Sequence, residues 1–323
     1  MVTKQICVGI VGRFEAHALA WLQSHSNFQV QWVKKLKDLK SPELLQGLVV
    51  RSDTEINEAS LKGFERLQMV VTATSGFDHF DFAFCENRNI ACYYTPDANI
   101  TSTAELTFSH ILSVARNIPL ALKMGKLPDW SRSELLGFEL EGKALSIVGF
   151  GRVGSRVARY ARAFGMKLYA YDPYIEPELA LQQSVELVGF EEAMRVGDIV
   201  SFHVPLTKET KHMVNRRTLE WISDDAAIVN CSRGGVINEF DLAEAVKNKN
   251  LRTIALDVFE NEPLRPASPL LALPSASLTP HMASLTVEAF NKSSMLAAQK
   301  LVNFFDDKEL SDKLPPLAPW YQS

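Results

Sequence analysis

Three polar residues of the second half of the chain, Arg233 in "NCSRGGVINE", Glu262 in "ALDVFENEP" and His281 in "SLTPHMAS", each follow a short apolar run of the kind that forms a β-strand. Arginine's planar fork matches a carboxylate in a bidentate way, and imidazole takes up and returns a proton near neutral pH. Taken singly, each residue has a plainer reading: a strand-end surface ion pair, a loop acid before proline, a structural histidine. In an open α/β sheet, however, ligands bind outside the carboxyl ends of the strands, so residues past three such strands can face one crevice. Proton transfer beside a bound carboxylate is the chemistry that set could perform.

The elements that must position these residues alternate along the whole chain. One set of apolar runs comprises "ICVGIVG" (6–12), "FQVQWV" (28–33), "GLVVR" (47–51), "LQMVVTA" (67–73) and "NIACYYT" (89–95). A second comprises "KALSIVGFG" (143–151), "KLYAYD" (167–172), "DIVSFHV" (198–204), "AAIVNCS" (226–232), "RTIALDVF" (252–259) and "ASLTPH" (276–281). Apolar runs alternating with helix-like stretches predict α/β structure with parallel sheets, here in two domains. Between the sets, "TPDANITSTAELTFSHILSVARNIPLALKMG" predicts one long hinge helix, with Ser/Thr cap candidates at 101–103. After His281 the segment 284–307 has helical spacing, and "LPPLAPW" is proline-broken and expected to lie extended on a surface. The 323 − 281 = 42 residues past His281 are too few for a third domain and are expected to return to the first. The expected division is therefore 1–99 plus 285–323 for one domain and 100–284 for the other, inserted into it. A cleft flanked by two chain crossings can close like a jaw.

"SIVGFGRVGSRVARYARAFGMKLYAYDPY" is the most specific stretch. Gly149, Gly151 and Gly154 follow an apolar strand and open a helix, and a second strand ends in Asp172, 172 − 154 = 18 residues past the last glycine. Strand, tight turn, helix, strand and acid at about 20 residues make the dinucleotide fingerprint in context. Glycines admit a pyrophosphate to the backbone, and the helix N-terminus adds amide donors and a positive dipole end. Asp172 would hold ribose hydroxyls and repel a 2′-phosphate, and Pro173 and Tyr174 bring no cation to reverse that, so NAD is expected rather than NADP. The earlier "GIVGRF" lacks the three-glycine spacing and reads as a plain strand-end turn.

Charge excludes other classes. A net charge of −4 offers no basic face for a phosphate backbone, so no nucleic-acid partner is expected, and "KKLKDLK" (34–40) reads as a solvated segment. Cys7, Cys85, Cys92 and Cys231 show no metal-type pairing, so no metal is expected and the cytoplasm is the default compartment. The opening "MVTKQICVGIVGRFEAH" has too short an apolar run for a signal or membrane segment, and no membrane partner is expected.

The motifs "GFGRVG", "YDPY", "HVPLTKET", "NCSRGGVINE", "ALDVFENEP" and "TPHMASLTVEA", in this order, resemble those of the D-2-hydroxyacid dehydrogenases over nearly the whole chain. The resemblance implies two Rossmann-like or flavodoxin-like parallel-sheet domains, the NAD domain inserted into the substrate domain. It implies that Arg233 binds the substrate carboxylate and carbonyl, that His281 is the acid/base, and that Glu262 pairs with His281, which would raise the imidazole pKa. The paired glycines after Arg233 are read as letting the backbone pass close to the cofactor. Further cofactor contacts are implied at Arg152 and Val153 of the glycine loop, at His203, Val204, Pro205 and Thr210, at Cys231 through its backbone rather than as a nucleophile, and at Asp257, which would hold the carboxamide. A homodimer is implied, with 121–140 reaching a partner; Trp130, Leu135, Leu136 and Phe138 would be awkwardly apolar on a monomer.

The first set of strands should complete the substrate site. Ser75 and Gly76 in "ATSGFDHFD" can cup a carboxylate with successive amides; Arg51 and Ser52 follow a neighbouring strand, and Asn99 stands at the hinge. These segments are more similar to the 3-phosphoglycerate dehydrogenases of the family than to its lactate or glyoxylate enzymes, and a phosphate would give Arg51 a reason to point inward. An outward strand-end arginine is the plainer alternative. The implied reaction is NAD-dependent oxidation of 3-phosphoglycerate to 3-phosphohydroxypyruvate, the entry to serine synthesis. The alternatives are reduction of hydroxypyruvate, glyoxylate or another small 2-keto acid, and an NAD-sensing scaffold like the co-repressors built on the same pattern. Longer phosphoglycerate dehydrogenases carry a C-terminal regulatory domain; none is expected here, and with it no micromolar inhibition by L-serine.

Overall fold

In the computed structural model, which describes residues 5–128, 130–248 and 251–317, the chain divides into two compact units. One is Met1–Asn99 with Ser284–Ser323, the other Ile100–Ala283.

The first unit opens with β1 (Ile6–Val11), α1 (Ala16–Gln23), β2 (Phe28–Val33), β3 (Gly47–Val50), β4 (Met69–Thr72), α2 (Phe82–Asn87) and β5 (Ala91–Tyr93). The second follows with α3 (Ile100–Ala115), α4 (Ile118–Met124), β6 (Ala144–Val148), α5 (Arg152–Ala163), β7 (Lys167–Tyr171), α6 (Pro177–Leu181), β8 (Glu186–Leu187), α7 (Phe190–Val196) and β9 (Ile199–Phe202). It continues through α8 (Arg216–Leu219), β10 (Ala227–Asn230), α9 (Glu239–Lys247), β11 (Thr253–Leu256) and β12 (Ser277–Leu278), and the chain returns to the first unit with α10 (Val287–Phe305) and β13 (Lys313–Leu314).

Among the described residues the first sheet runs β13-β5-β4-β3-β1-β2, parallel except for β13. Its five parallel strands have the flavodoxin-like order. The second runs β12-β11-β10-β9-β6-β7-β8, the doubly wound dinucleotide order with one strand added, and its sequence reverses direction between β6 and β9. Strands β6, β9, β10 and β11 are buried along their whole length, as parallel strands covered on both faces must be. Each fully buried large side chain there, Ile147 or Phe202 for example, contributes roughly 1.5–3 kcal/mol of transfer free energy. Helix α5 keeps its arginines outward and turns Val157, Ala158 and Ala161 into the core. In the first unit, Ala297, Ala298 and Leu301 of α10 pack with Val8, Ile10 and Val71. Among the described residues, no helix is long and apolar enough to cross a membrane.

Several expectations are corrected. The single hinge helix is two, because Asn117 adopts a left-handed φ of 50° and ends the run. Residues 101–103 lie inside the first turn of α3 rather than before it. The run 276–281 is strand only to Leu278, since Thr279 and His281 turn back onto β11. The tail is not simply a surface strap: Leu314 is buried as β13 pairs with β5, while Leu317 is fully exposed and 318–320 fall outside the described residues. Of Trp130, Leu135, Leu136 and Phe138, Phe138 packs on the core under Lys143 and Arg252, and Leu135 is half-buried. Trp130 and Leu136 are exposed, joined by Leu122 and Leu127. The lysines of 34–40 face solvent while Leu39 is buried.

Candidate active site

The three glycines at the end of β6 do three different things. Gly149 turns the chain with a φ of +92°, and a Cβ there would meet the His203 carbonyl carbon at 2.8 Å. At Gly151, the N-cap of α5, a Cβ would meet nothing within 4 Å, so the backbone lies open on that side. A Cβ on Gly154 would sit 2.2 Å from the Gly149 carbonyl oxygen, so glycine is what lets α5 close on the strand end. Asp172 ties the loop to β7 by accepting from Phe150 N at 2.9 Å and from Tyr174 N at 3.0 Å.

The neighbouring strand ends carry the next residues. His203 N bonds the Val148 carbonyl at 2.7 Å, and its ring lies 2.9 Å from Ser201 Oγ; burial pushes the His203 imidazole down to about 4, so it is neutral. Val204 packs against the Gly149 turn. Thr210 closes its own loop, donating to the Pro205 carbonyl at 2.6 Å and accepting from Thr207 N. The thiol of Cys231 is buried and pushed up to about 12 by that burial, which leaves no thiolate to act as a nucleophile.

Arg233, Glu262 and His281 are brought together. After β10, fully buried Asn230 frames the turn: its Oδ1 accepts from Ser232 N and Oγ, and its Nδ2 donates to the Arg233 carbonyl at 3.0 Å. A Cβ on Gly234 would lie 1.9 Å from the Phe259 carbonyl carbon and 2.5 Å from Glu260 N. Gly234 brings the arginine turn against the backbone of the next strand end, and Gly235 sits under Leu206. Glu239 and Glu260 then exchange backbone-to-carboxylate bonds, and Glu260 also meets His212 at 3.3 Å.

Glu262 accepts from Phe259 N at 3.0 Å and holds His281 Nδ1 at 2.6 Å. Burial pushes the Glu262 carboxyl up, but the bonds from His281 and Phe259 N, with the charges of His281 and Arg233, hold it below its usual range. The bond to Glu262 raises the His281 pKa, against burial and the Arg233 charge. Asp257 is fully buried behind them, taking Thr279 Oγ1 at 2.6 Å, Met282 N at 2.9 Å and Ala283 N at 2.8 Å, while its carbonyl accepts from His281 N. Its carboxylate organises the turn that carries the histidine, a use the sequence reading did not foresee.

In the first unit, Arg51 does not point outward. Its guanidinium carbon lies 5.4 Å over the Phe290 ring, and Nη1 is buried with no hydrogen-bond partner among the described residues. Burial and the like charge of Arg13 pull its pKa down. Ser75 Oγ bonds Asn99 Oδ1, and Thr74 Oγ1 donates to the Gly76 carbonyl. Neither Ser75 nor Gly76 has the left-handed backbone of an alternating nest, so this turn is fixed by side chains. Ser52 is exposed.

The sequence model described as "D-isomer specific 2-hydroxyacid dehydrogenase, NAD binding domain" matches residues 108–283. The chain is 40% identical over 255 residues to D-3-phosphoglycerate dehydrogenase of Methanocaldococcus jannaschii, covering 79% of this chain and 48% of that protein. It is 38% identical over 258 residues to the enzyme of the same name from Bacillus subtilis, covering 80% and 49%. The chain belongs to the D-isomer specific 2-hydroxyacid dehydrogenase family. It spans about half the length of the curated relatives it matches. Among solved structures, D-lactate dehydrogenase from Aquifex aeolicus complexed with NAD and lactic acid superposes with a TM-score of 0.79 at 26% identity, covering 93% of this chain and 96% of that one. The TT0316 protein from Thermus thermophilus superposes at 0.86 and 28%, covering 96% and 100%.

NAD is the cofactor of this family's domain, and the residues present fit it. The open side of Gly151 at the start of α5 is a cradle that any Cβ would fill, and amides of a helix N-terminus suit a pyrophosphate. Asp172 presents a carboxylate at the end of β7, oriented by two backbone amides. Two residues escaped the sequence reading. Asn230 carried a signal, as a polar residue closing an apolar run; His110, on the face of α3 that also carries Thr103, Thr107 and Ser113, carried a weaker one.

Proposed function

We propose that the protein oxidises a D-2-hydroxy acid with NAD and reduces the matching 2-keto acid, and that its substrate is 3-phosphoglycerate. The observation that carries the chemistry is the 2.6 Å pairing of His281 Nδ1 with Glu262 beside Arg233. With Nδ1 engaged, Nε2 is the ring atom that takes the hydroxyl proton in oxidation and returns it in reduction. Glu262 holds the ring's orientation and stabilises the imidazolium formed. Arg233 clamps the carboxylate by its fork and so selects the face of C2 presented for reaction. Bound NAD supplies the hydride acceptor. Gly149, Gly151, Arg152, Val153 and Gly154 would seat its pyrophosphate, Asp172 its ribose, His203, Val204, Pro205 and Thr210 the adenosine half, and Cys231 the nicotinamide ribose through its backbone. Asp257 would hold the carboxamide.

For the substrate, the supporting observation is Arg51. A buried guanidinium nitrogen without a partner is costly unless an anion completes it, and a phosphate would do so. Ser52, Ser75, Gly76 and Asn99 would contribute the remaining polar contacts. The reaction would then open serine synthesis. The test is NADH appearance at alkaline pH with 3-phosphoglycerate, beside NADH consumption with hydroxypyruvate and glyoxylate. Selective loss of the phosphorylated substrate in Arg51→Ala supports this reading, and equal activity on all three acids defeats it. Absence of turnover on every acid, with NAD still bound, would favour the scaffold.

We further propose a homodimer built on exposed Trp130 and Leu136, with Leu122 and Leu127 beside them; a monomer at all concentrations in sedimentation would overturn it. Four free cysteines accord with a reducing compartment, and a cytoplasmic location is proposed.

A further inference from the structure

His281 stands at a left-handed φ of 49°, a conformation a side-chain-bearing residue keeps only when its surroundings over-determine it. The surroundings that do so continue past Asp257. His110, on α3, is 3% exposed, with Nε2 3.1 Å from Thr279 Oγ1 and Nδ1 3.2 Å from Ser277 Oγ. Thr279 Oγ1 lies 2.6 Å from Asp257 Oδ1, and Ser113 Oγ 3.4 Å from Ser277 Oγ.

Proton counting gives this chain a direction. Asp257 takes amide protons from Met282 and Ala283, and as a carboxylate it can only accept, so the single hydroxyl proton of Thr279 goes to it. The Thr279 oxygen must then accept from His110, which places the ring proton on Nε2 and leaves Nδ1 bare. Ser277 donates to that bare nitrogen and accepts from Ser113. Every link points toward Asp257. Burial lowers the His110 pKa against the attraction of Asp257, in keeping with a neutral ring.

We propose that His110 is a positioning residue: through Thr279 and Asp257 it fixes the 279–283 turn and thereby the direction in which His281 presents its ring. A leucine would fill the same space on α3 but would leave the Thr279 oxygen without its donor, held only by its own bond to Asp257. The charged groups that act on His281 are Glu262, Arg233 and Asp257, and Asp257 also acts on His110. The catalytic consequence rests on the reading of His281 as the proton carrier, whereas the positioning itself does not.

The experiment is nitrogen-15 NMR of the histidine rings in the ligand-free protein, for the wild type, His110→Leu, His110→Gln, Thr279→Val and Thr279→Ser. His110 is expected as a neutral ring protonated at Nε2 that does not titrate where ordinary imidazoles do. The His281 midpoint should fall toward the ordinary imidazole value in His110→Leu and Thr279→Val as the Glu262 bond loosens. It should hold in His110→Gln, whose amide still donates, and in Thr279→Ser. His110→Leu/Thr279→Val should fall no further than either single variant, because both break one chain. In turnover, kcat should drop about tenfold to a hundredfold in the first pair of variants with the KM for NAD unchanged. An Nδ1-protonated or charged His110, or an unmoved His281 midpoint in His110→Leu and Thr279→Val, overturns the proposal. Should no 2-hydroxy acid be turned over by the wild type, the enzymatic reading fails while the ring titrations still decide the positioning.

Discussion

Arg51 and Arg233 occupy equivalent places in the two units, each just past a buried parallel strand, yet their surroundings differ. Around Arg233 every neighbour is already engaged: Asn230 braces the turn, Gly234 is pressed on Phe259, and Glu262 holds His281. Around Arg51 there is an aromatic face, a like charge from Arg13 and a buried nitrogen with no partner. One site is assembled before any ligand arrives; on the proposed reading the other is completed by one. That difference is what separates a catalytic group, which must be preorganised, from a recognition group, which can leave part of its bonding to the substrate.

The sharpest break in the comparison comes from the assembled side. His281→Asn, chosen because asparagine tolerates the left-handed backbone, should lower kcat by about 10²–10⁴-fold with NAD affinity retained, as measured by steady-state rates and fluorescence titration. A loss below tenfold would mean that another group moves the proton. Arg233→Lys keeps the charge but not the fork and should also lose most of its kcat/KM.

On the other side, Arg51→Ala should raise the KM for 3-phosphoglycerate by roughly ten- to a hundredfold, the equivalent of a charge-assisted bond of ~1.5–3 kcal/mol, and leave glyoxylate nearly untouched. The comparison also predicts opposite stabilities in the absence of ligand. Arg51→Met removes a buried unpaired donor and keeps contact with Phe290, so its Tm should equal or exceed that of the wild type. Arg233→Met should show no such gain, and a matching gain at both positions would erase the distinction.

The two sides were not equally legible. The glycine loop could be read because its strand, turn, helix and acid are neighbours in sequence, so their spacing constrains their geometry. Arg233, Glu262 and His281 were legible for a related reason: each follows its own strand, and parallel strands place their carboxyl ends together. What stayed hidden depends on long-range meetings. His110 and Thr279 are 169 residues apart. Nothing local announces that Gly234 faces Phe259, or that two residues near the end of the described chain pair with β5. The break at Asn117 is a backbone choice that the helical spacing on either side conceals.

A smaller effect follows from the Glu262–His281 bond. In the oxidative direction the ring must be neutral to accept a proton, so the rate should rise with pH through the raised pKa of His281. Glu262→Gln removes the largest cause of that rise, and the limb of the profile should move to lower pH. A limb that stays in place would assign it to a different group.

The smallest effect concerns stability, and its sign can be worked out for each partner. The His281 pKa is raised on folding, so its contribution is complete below the ordinary value of 6.5 and is lost as pH rises through the folded pKa. The Glu262 pKa is lowered, so its contribution is complete above 4.5 and is lost as pH falls through the folded pKa. Both are fully present only between those values. With the two side chains 46% and 36% exposed, solvent screening limits the pair to below about 1 kcal/mol. The Tm deficit of Glu262→Gln should therefore be a few degrees at most, greatest between pH 4.5 and 6.5, and should shrink on the alkaline side as His281 loses its proton. A deficit that stayed constant into alkaline pH would show Glu262 acting through Phe259 N rather than through the imidazolium. The preassembled side would then owe its order to the backbone alone.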